Sequence, residues 1–129
     1  MKPLLVFVLL LALLAGCQSQ PAYTDNGNPG QIKAVIFYDD NRNGMIDGNE
    51  AGVQTELGIS QDISCPPSSD EAITPIVADV NGVVLFQELK PGKYCIHPIE
   101  NFGMTTKQNL EIYVSSDETI TVMFGIVGE

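Results

Sequence analysis

From Ile32 onward the chain breaks every few residues on Asn, Gly, Pro or Asp, and between the breaks no apolar set recurs at the 3.6-residue spacing of a helix. Only short strands fit such a pattern. Ile32–Tyr38 is β-branched and aromatic, as a half-buried strand should be, and Val53–Ile59 alternates weakly as a second. Ile73–Ala78, Val83–Gln87, Lys93–His97, Leu110–Val114 and Thr119–Ile126 follow at similar spacing. Asp79-Val80-Asn81-Gly82 carries the Asn-Gly pair that favours a hairpin turn, Leu89-Lys90-Pro91-Gly92 turns again, and Ser115–Glu118 would close a final hairpin. Ser60–Ala72, with Cys65-Pro66-Pro67, reads as a long loop. Six or seven short strands with turns at this interval imply one all-β sandwich, with no internal repeat and no second domain.

The amino-terminal segment obeys different rules. Leu4–Ala15 is an uncharged apolar run of twelve residues behind Met1-Lys2-Pro3. A membrane span needs about 20 such residues, so this run fits the core of an export signal with Lys2 as its positive flank. It ends Leu14-Ala15-Gly16-Cys17, which resembles the lipobox of bacterial lipoproteins. That resemblance implies cleavage after residue 16, diacylation of the Cys17 thiol and acylation of the new terminus. Two or three acyl chains anchor a protein stably, at about 0.8 kcal/mol per buried methylene. An ordinary secretory signal that merely contains a cysteine, or an uncleaved anchor, is the alternative, but either leaves the register of apolar run, small residues and cysteine unexplained. The expected organisation is a signal peptide over 1–16, a lipid-anchored flexible linker over 17–30 and a domain over 31–129. The domain would sit on the extracytoplasmic side of the envelope. Gln18 favours the outer membrane where there are two membranes, and otherwise the outer face of the plasma membrane.

Composition narrows the function. The chain carries a formal charge of −10, and loss of Lys2 with the leader makes it −11. Such an acidic surface disfavours nucleic acid and anionic lipid. With one His and no Trp there is little material for a zinc site, a His-dependent triad or tryptophan stacking on sugars. Once Cys17 is acylated, Cys65 and Cys95 remain, and in an oxidising compartment two cysteines can close one disulfide. A reactive pair is the alternative, yet neither a C-x-x-C spacing nor a helix signal accompanies them.

Chemistry concentrates in Asp39-Asp40-Asn41-Arg42-Asn43-Gly44-Met45-Ile46-Asp47-Gly48-Asn49-Glu50. Counted as a twelve-residue calcium loop, it places oxygen side chains at positions one, three and five (Asp39, Asn41, Asn43). Gly44 falls at the sharp sixth position, the Met45 carbonyl at seven, Asp47 at nine and a bidentate Glu50 at twelve. Calcium wants six to eight hard oxygens, so Asp39, Asn41, Asn43, Met45, Asp47 and Glu50 are the expected ligands of one Ca²⁺. The flanks are not helical: a strand leads in, and Ala51-Gly52-Val53 would stop any helix on the way out. The competing reading is an Asn/Asp/Gly surface turn that binds nothing. The ligand roles predict that loss of Asp39 or Glu50 weakens calcium binding, with little effect on stability in chelator.

No catalytic set emerges. Asp39, Asp40, Asp47 and Glu50 could pair for acid–base work, but the loop spacing already accounts for them as ligands. Asp79 fits a turn, and His97, before Pro98, fits the rim of a strand. The chain is therefore expected not to be an enzyme.

Several of these pieces together resemble the SdrD B-like, collagen-adhesin B-type repeat domains of Gram-positive surface adhesins. The opening Val35–Asp47, continued through Glu50-Ala51-Gly52-Val53, is similar to the family's first strand and loop. Ala78–Tyr94 resembles its central hairpin, and Met123-Phe124-Gly125-Ile126 its closing strand. The resemblance implies a transthyretin-like (prealbumin-like), immunoglobulin-related sandwich stiffened by calcium, acting without catalysis as a spacer or binding module. By position it implies the same six metal ligands. The chain departs from the family in being a single copy on a lipid anchor, in its Ser60–Ala72 insert and in Cys65 and Cys95. Pro98 stands where the related domains place the Glu that assists a Lys–Asn isopeptide bond, so none is expected from Lys33 and Asn109. The expected role is a calcium-stabilised surface module of adhesion type, meeting the membrane through its lipid and a surface protein or glycan through its loops. An accessory subunit of an envelope complex and a small hydrolase or enzyme-regulatory domain are the alternatives.

Overall fold

The computed structural model describes residues 22–61, 64–68 and 72–128; the expected signal segment and Cys17 lie outside them. Seven strands form, β1 (Gly30–Tyr38), β2 (Glu56–Gln61), β3 (Thr74–Val77), β4 (Val83–Leu89), β5 (Gly92–Pro98), β6 (Leu110–Val114) and β7 (Thr119–Ile126), with no helix among the described residues. They make a three-stranded sheet, β4-β1-β7, and a four-stranded sheet, β3-β2-β5-β6. β1 is antiparallel to β4 and parallel to β7. The four-stranded sheet is antiparallel throughout.

Period-two alternation builds the core. Ile32, Ala34 and Ile36 of β1, Val84 and Phe86 of β4, and Phe124 and Ile126 of β7 pack in one buried cluster with Leu57, Tyr94, Ile96, Ile112 and Val114 of the other sheet. β1 has a neighbour on each side, and near its end the backbone of Phe37 is also bridged by Gly52. Ala34–Phe37 is buried without a break.

The expected all-β sandwich is present, and β6 and β7 occupy the expected residues. Pairing differs from expectation at three turns. The Asp79–Gly82 turn joins β3 to β4, which lie in different sheets, so it is not a hairpin, and Ala78–Tyr94 is not a central hairpin. A two-residue hairpin of the Asn-Gly type needs φ > 0 at both central residues, and here only Gly82 has it, at 74°. Oδ1 of Asp79 instead accepts the amides of Asn81 and Val83, closing a tight corner. That corner delivers the chain to β1, where the Ile36 amide donates to the Gly82 carbonyl. The Leu89–Gly92 turn likewise changes sheets.

The Ser115–Glu118 turn also fails to make a hairpin, because β6 pairs with β5 and β7 with β1. Its main-chain groups are taken by the segment before β1 and by the start of β1 itself. The Ser116 amide donates to the Thr24 carbonyl, the Asp117 amide to that of Pro29, and Gln31 donates to the Glu118 carbonyl. Finally, β2 starts three residues later than Val53 and runs on through Ser60 and Gln61, which were expected to open the loop.

Candidate functional site

The loop Asp39–Glu50 leaves the end of β1 and returns along it. The Tyr38 amide donates to the Ala51 carbonyl and the Asp39 amide to that of Ile126, so both ends are fixed to the sheet. Between them the side chains singled out by the twelve-residue pattern form one hydrogen-bonded network. Asp39 Oδ1 accepts the Asn43 amide at 3.0 Å and Oδ2 the Gly44 amide at 3.0 Å. Asn41 Oδ1 accepts the Asn43 amide at 3.0 Å, and Asn43 Oδ1 the Met45 amide at 2.8 Å. The side-chain amides of Asn41 and Asn43 both donate to Asp47 Oδ2. Glu50 closes the loop, with Oε1 accepting the Asp40 amide and Oε2 the Asp47 amide, each at 2.9 Å. Each carboxylate therefore gathers N–H donors, which is how a tight acidic turn avoids self-repulsion.

Asp39 differs from the rest in being buried, at 1% exposure. Burial alone would push its carboxyl upward. The Thr105 hydroxyl and the amides of Gly44, Asn43 and Arg42 outweigh that and hold it below the ordinary carboxylate value. Thr105 was not identified by sequence reasoning. It lies in the segment between β5 and β6 and donates to Asp39 Oδ2, while its own amide donates to the Gly125 carbonyl. Gly125 makes room for this contact: a Cβ there would overlap the Thr105 hydroxyl and lie 2.9 Å from Asp39 Oδ2. The only sequence signal was Gly125 itself, an interruption inside an otherwise apolar strand.

Chemically the loop offers an all-oxygen set: three carboxylates, two amide oxygens and the Met45 carbonyl, with the Met45 side chain 62% exposed. That chemistry fits a hard divalent cation. Among the described residues, however, no three His, Cys, Asp or Glu side chains stand close enough together to hold a metal ion. The asparagine side-chain amides lie against Asp47 Oδ2, so hydrogen bonds from Asn41 and Asn43 shape this side of the loop.

Elsewhere, Cys65 and Cys95 are joined, with Cα atoms 5.4 Å apart, pinning the described part of the insert to the outer face of β5. Asp79 is a turn residue, as expected. Nδ1 of His97 contacts the Pro98 carbonyl at 3.0 Å, in keeping with a rim position.

Two facing sheets of three and four strands, with an Asx-rich loop closing one end, define an immunoglobulin-like β-sandwich module. The chain belongs to the SdrD B-like domain family, whose model matches residues 30–121. Its fold is similar to part of the major pilin subunit of Bacillus cereus, with TM-score 0.54 and 14% identity, covering 78% of this chain and 30% of that one. It is also similar to a minor pilin of Streptococcus agalactiae, with TM-score 0.53 and 14% identity, covering 79% of this chain and 46% of that one. The chain thus spans less than half the length of either pilin, and at these identities the likeness is one of fold alone. No curated protein sequence matches it.

Proposed function

We propose that this chain is a lipid-anchored, calcium-stabilised, non-catalytic binding or structural module on the outside of a bacterial cell. The observation that carries the reading is the loop. Within an SdrD B-like domain, Asp39, Asn41, Asn43, Asp47 and Glu50 fall in one connected network at one end of the sandwich. With the Met45 carbonyl, these residues would hold one Ca²⁺, which would offset two of the three carboxylate charges and tie β1 to the segment that follows. The loop lies at one end of the sandwich, so the ion's part would be to stiffen that end.

Surface placement is supported by the pilin-like fold, by the disulfide, which suits an oxidising compartment, and by the Leu14-Ala15-Gly16-Cys17 motif. Acylation of Cys17 would make the membrane its first partner, with a surface protein or glycan as the second.

The test is a thermal melt of residues 18–129 in excess calcium, in magnesium and in chelator. A ligand binding only the native state at a hundred times its dissociation constant adds about 2.7 kcal/mol. The expected result is an upward shift of several degrees in calcium and a smaller one in magnesium. Coincident melts in all three would reduce the loop to a hydrogen-bonded turn and remove calcium from the proposal.

A further inference from the structure

The segment expected to be a flexible linker does more than connect. Its residues 24–29 lie along the β6–β7 turn. The Thr24 amide donates to Ser115 Oγ at 3.0 Å and the Asn26 amide to Ser116 Oγ at 2.9 Å. The side-chain amides of Asn26 and Asn28 converge on one oxygen, Asp117 Oδ2, at 3.0 and 3.1 Å. The main-chain bonds from Ser116 to Thr24 and from Asp117 to Pro29 complete the seam. All of these contacts cross about 90 residues of sequence, so they are tertiary docking, not a local turn.

We infer that the contacts of Asn26 and Asn28 with Asp117 form a standoff clasp. It holds the domain with its β6–β7 turn toward the acylated Cys17 and its Asp39–Glu50 loop away from the bilayer. The inference rests on the lipid anchoring proposed above. Extended chain covers at most about 3.6 Å per residue, so with the clasp closed Thr24 lies within about 25 Å of Cys17. With residues 24–29 released, the first anchored residue is Gly30, paired with Leu89, and the limit rises to about 47 Å. The clasp therefore halves the reach of the domain.

The end that faces the lipid is set by where the linker enters β1. β1 and β7 run parallel, and the β6–β7 turn sits where they start while the loop sits where β1 ends. The nine residues of β1 separate the two by about 28 Å. The exposed Met45, Ile46, Val80 and Val127 all belong to the loop end.

The experiment uses the full-length protein, acylated in a bacterial host and reconstituted into supported phosphatidylcholine bilayers. Neutron reflectometry gives the height of the protein layer, and amide exchange read by mass spectrometry reports the clasp. Two variants open it: Asp117→Gly, which suits the φ of 59° at this position, and Asn26→Ala with Asn28→Ala. In the wild type, peptides covering residues 24–31 should be protected and the layer should lie close to the headgroups. In both variants those peptides should exchange about tenfold faster or more, with the β1 core unchanged. The outer edge of the layer should move outward, by up to about 22 Å.

Acylated wild type with unprotected amides at 24–31 would overturn the clasp alone. So would variants that exchange fast at an unchanged height. Wild type carrying no acyl chain on Cys17 would overturn the anchoring and the standoff together.

Discussion

The Thr105 hydroxyl donates to Oδ2 of Asp39 across 66 residues of sequence, joining the segment between β5 and β6 to the first residue of the loop. Asp39 is buried, so each donor it loses leaves an acceptor without compensation. Thr105→Val keeps the shape and removes the donor. It should lower the melting temperature by several degrees in chelator, whereas Thr105→Ser should restore most of that loss. Thermal melts of the three proteins side by side check this, and equal temperatures for wild type and Thr105→Val would show the bond to be dispensable.

Much of the fold was legible in the sequence, because strands and turns are local. The alternation of Leu110–Val114 and Thr119–Ile126 placed both strands at their observed residues. Spacing in the loop put every expected loop residue into one network, and two spare cysteines found each other. Pairing was less legible. Asn81-Gly82 looks the same whether its turn folds a hairpin or swings the chain between sheets; the outcome depends on Asp79 capping and on Gly82 meeting Ile36. The Ser115–Glu118 turn was opened by Thr24 and Pro29, and Asp39 was completed by Thr105. In each case the deciding partner is remote in sequence and carries no periodicity of its own.

Asp117 predicts how the clasp responds to acid. Hydrogen bonds from Asn26 and then Asn28 hold its carboxyl below the ordinary value of 3.8, against a smaller upward push from burial. A carboxyl depressed in the folded state adds stability that is complete above the ordinary value and disappears as pH falls through the folded one. Exchange of residues 24–31, corrected for the intrinsic pH dependence, should be constant from about pH 8 to pH 5 and rise below the ordinary aspartate range. Asp117→Gly should show no such rise. Opening of the wild-type clasp near neutral pH would mean that another group controls it.

The Cys65–Cys95 bridge spans 30 residues. Loop-closure entropy for that length corresponds to about 3.5 kcal/mol of stabilisation. Replacing both cysteines with Ala should lower the denaturation midpoint accordingly, and reducing the wild type should lower it by a similar amount. Thiol labelling of the folded, unreduced domain should modify neither residue, whereas labelling of both would show that the bridge does not form in the protein.

Asp39 and Glu50 separate the structural from the metal-dependent part of the loop. The sequence pattern treats them as equivalent ligands whose loss matters little in chelator, but their surroundings are not equivalent. Asp39 is buried and gathers Thr105, Asn43 and Gly44. Glu50 closes the loop from a more exposed position, using one oxygen for Asp40 and the other for Asp47. Asp39→Ala should therefore melt lower in chelator as well as in calcium. Glu50→Gln keeps an amide oxygen for one of the two bonds and removes the charge. It should melt close to wild type in chelator and lose most of the upward shift in calcium. A Glu50→Gln protein that kept the full calcium shift would place the ion elsewhere, whatever Asp39→Ala did. If Asp39→Ala melted like wild type in chelator, the buried carboxylate would serve the ion and not the fold.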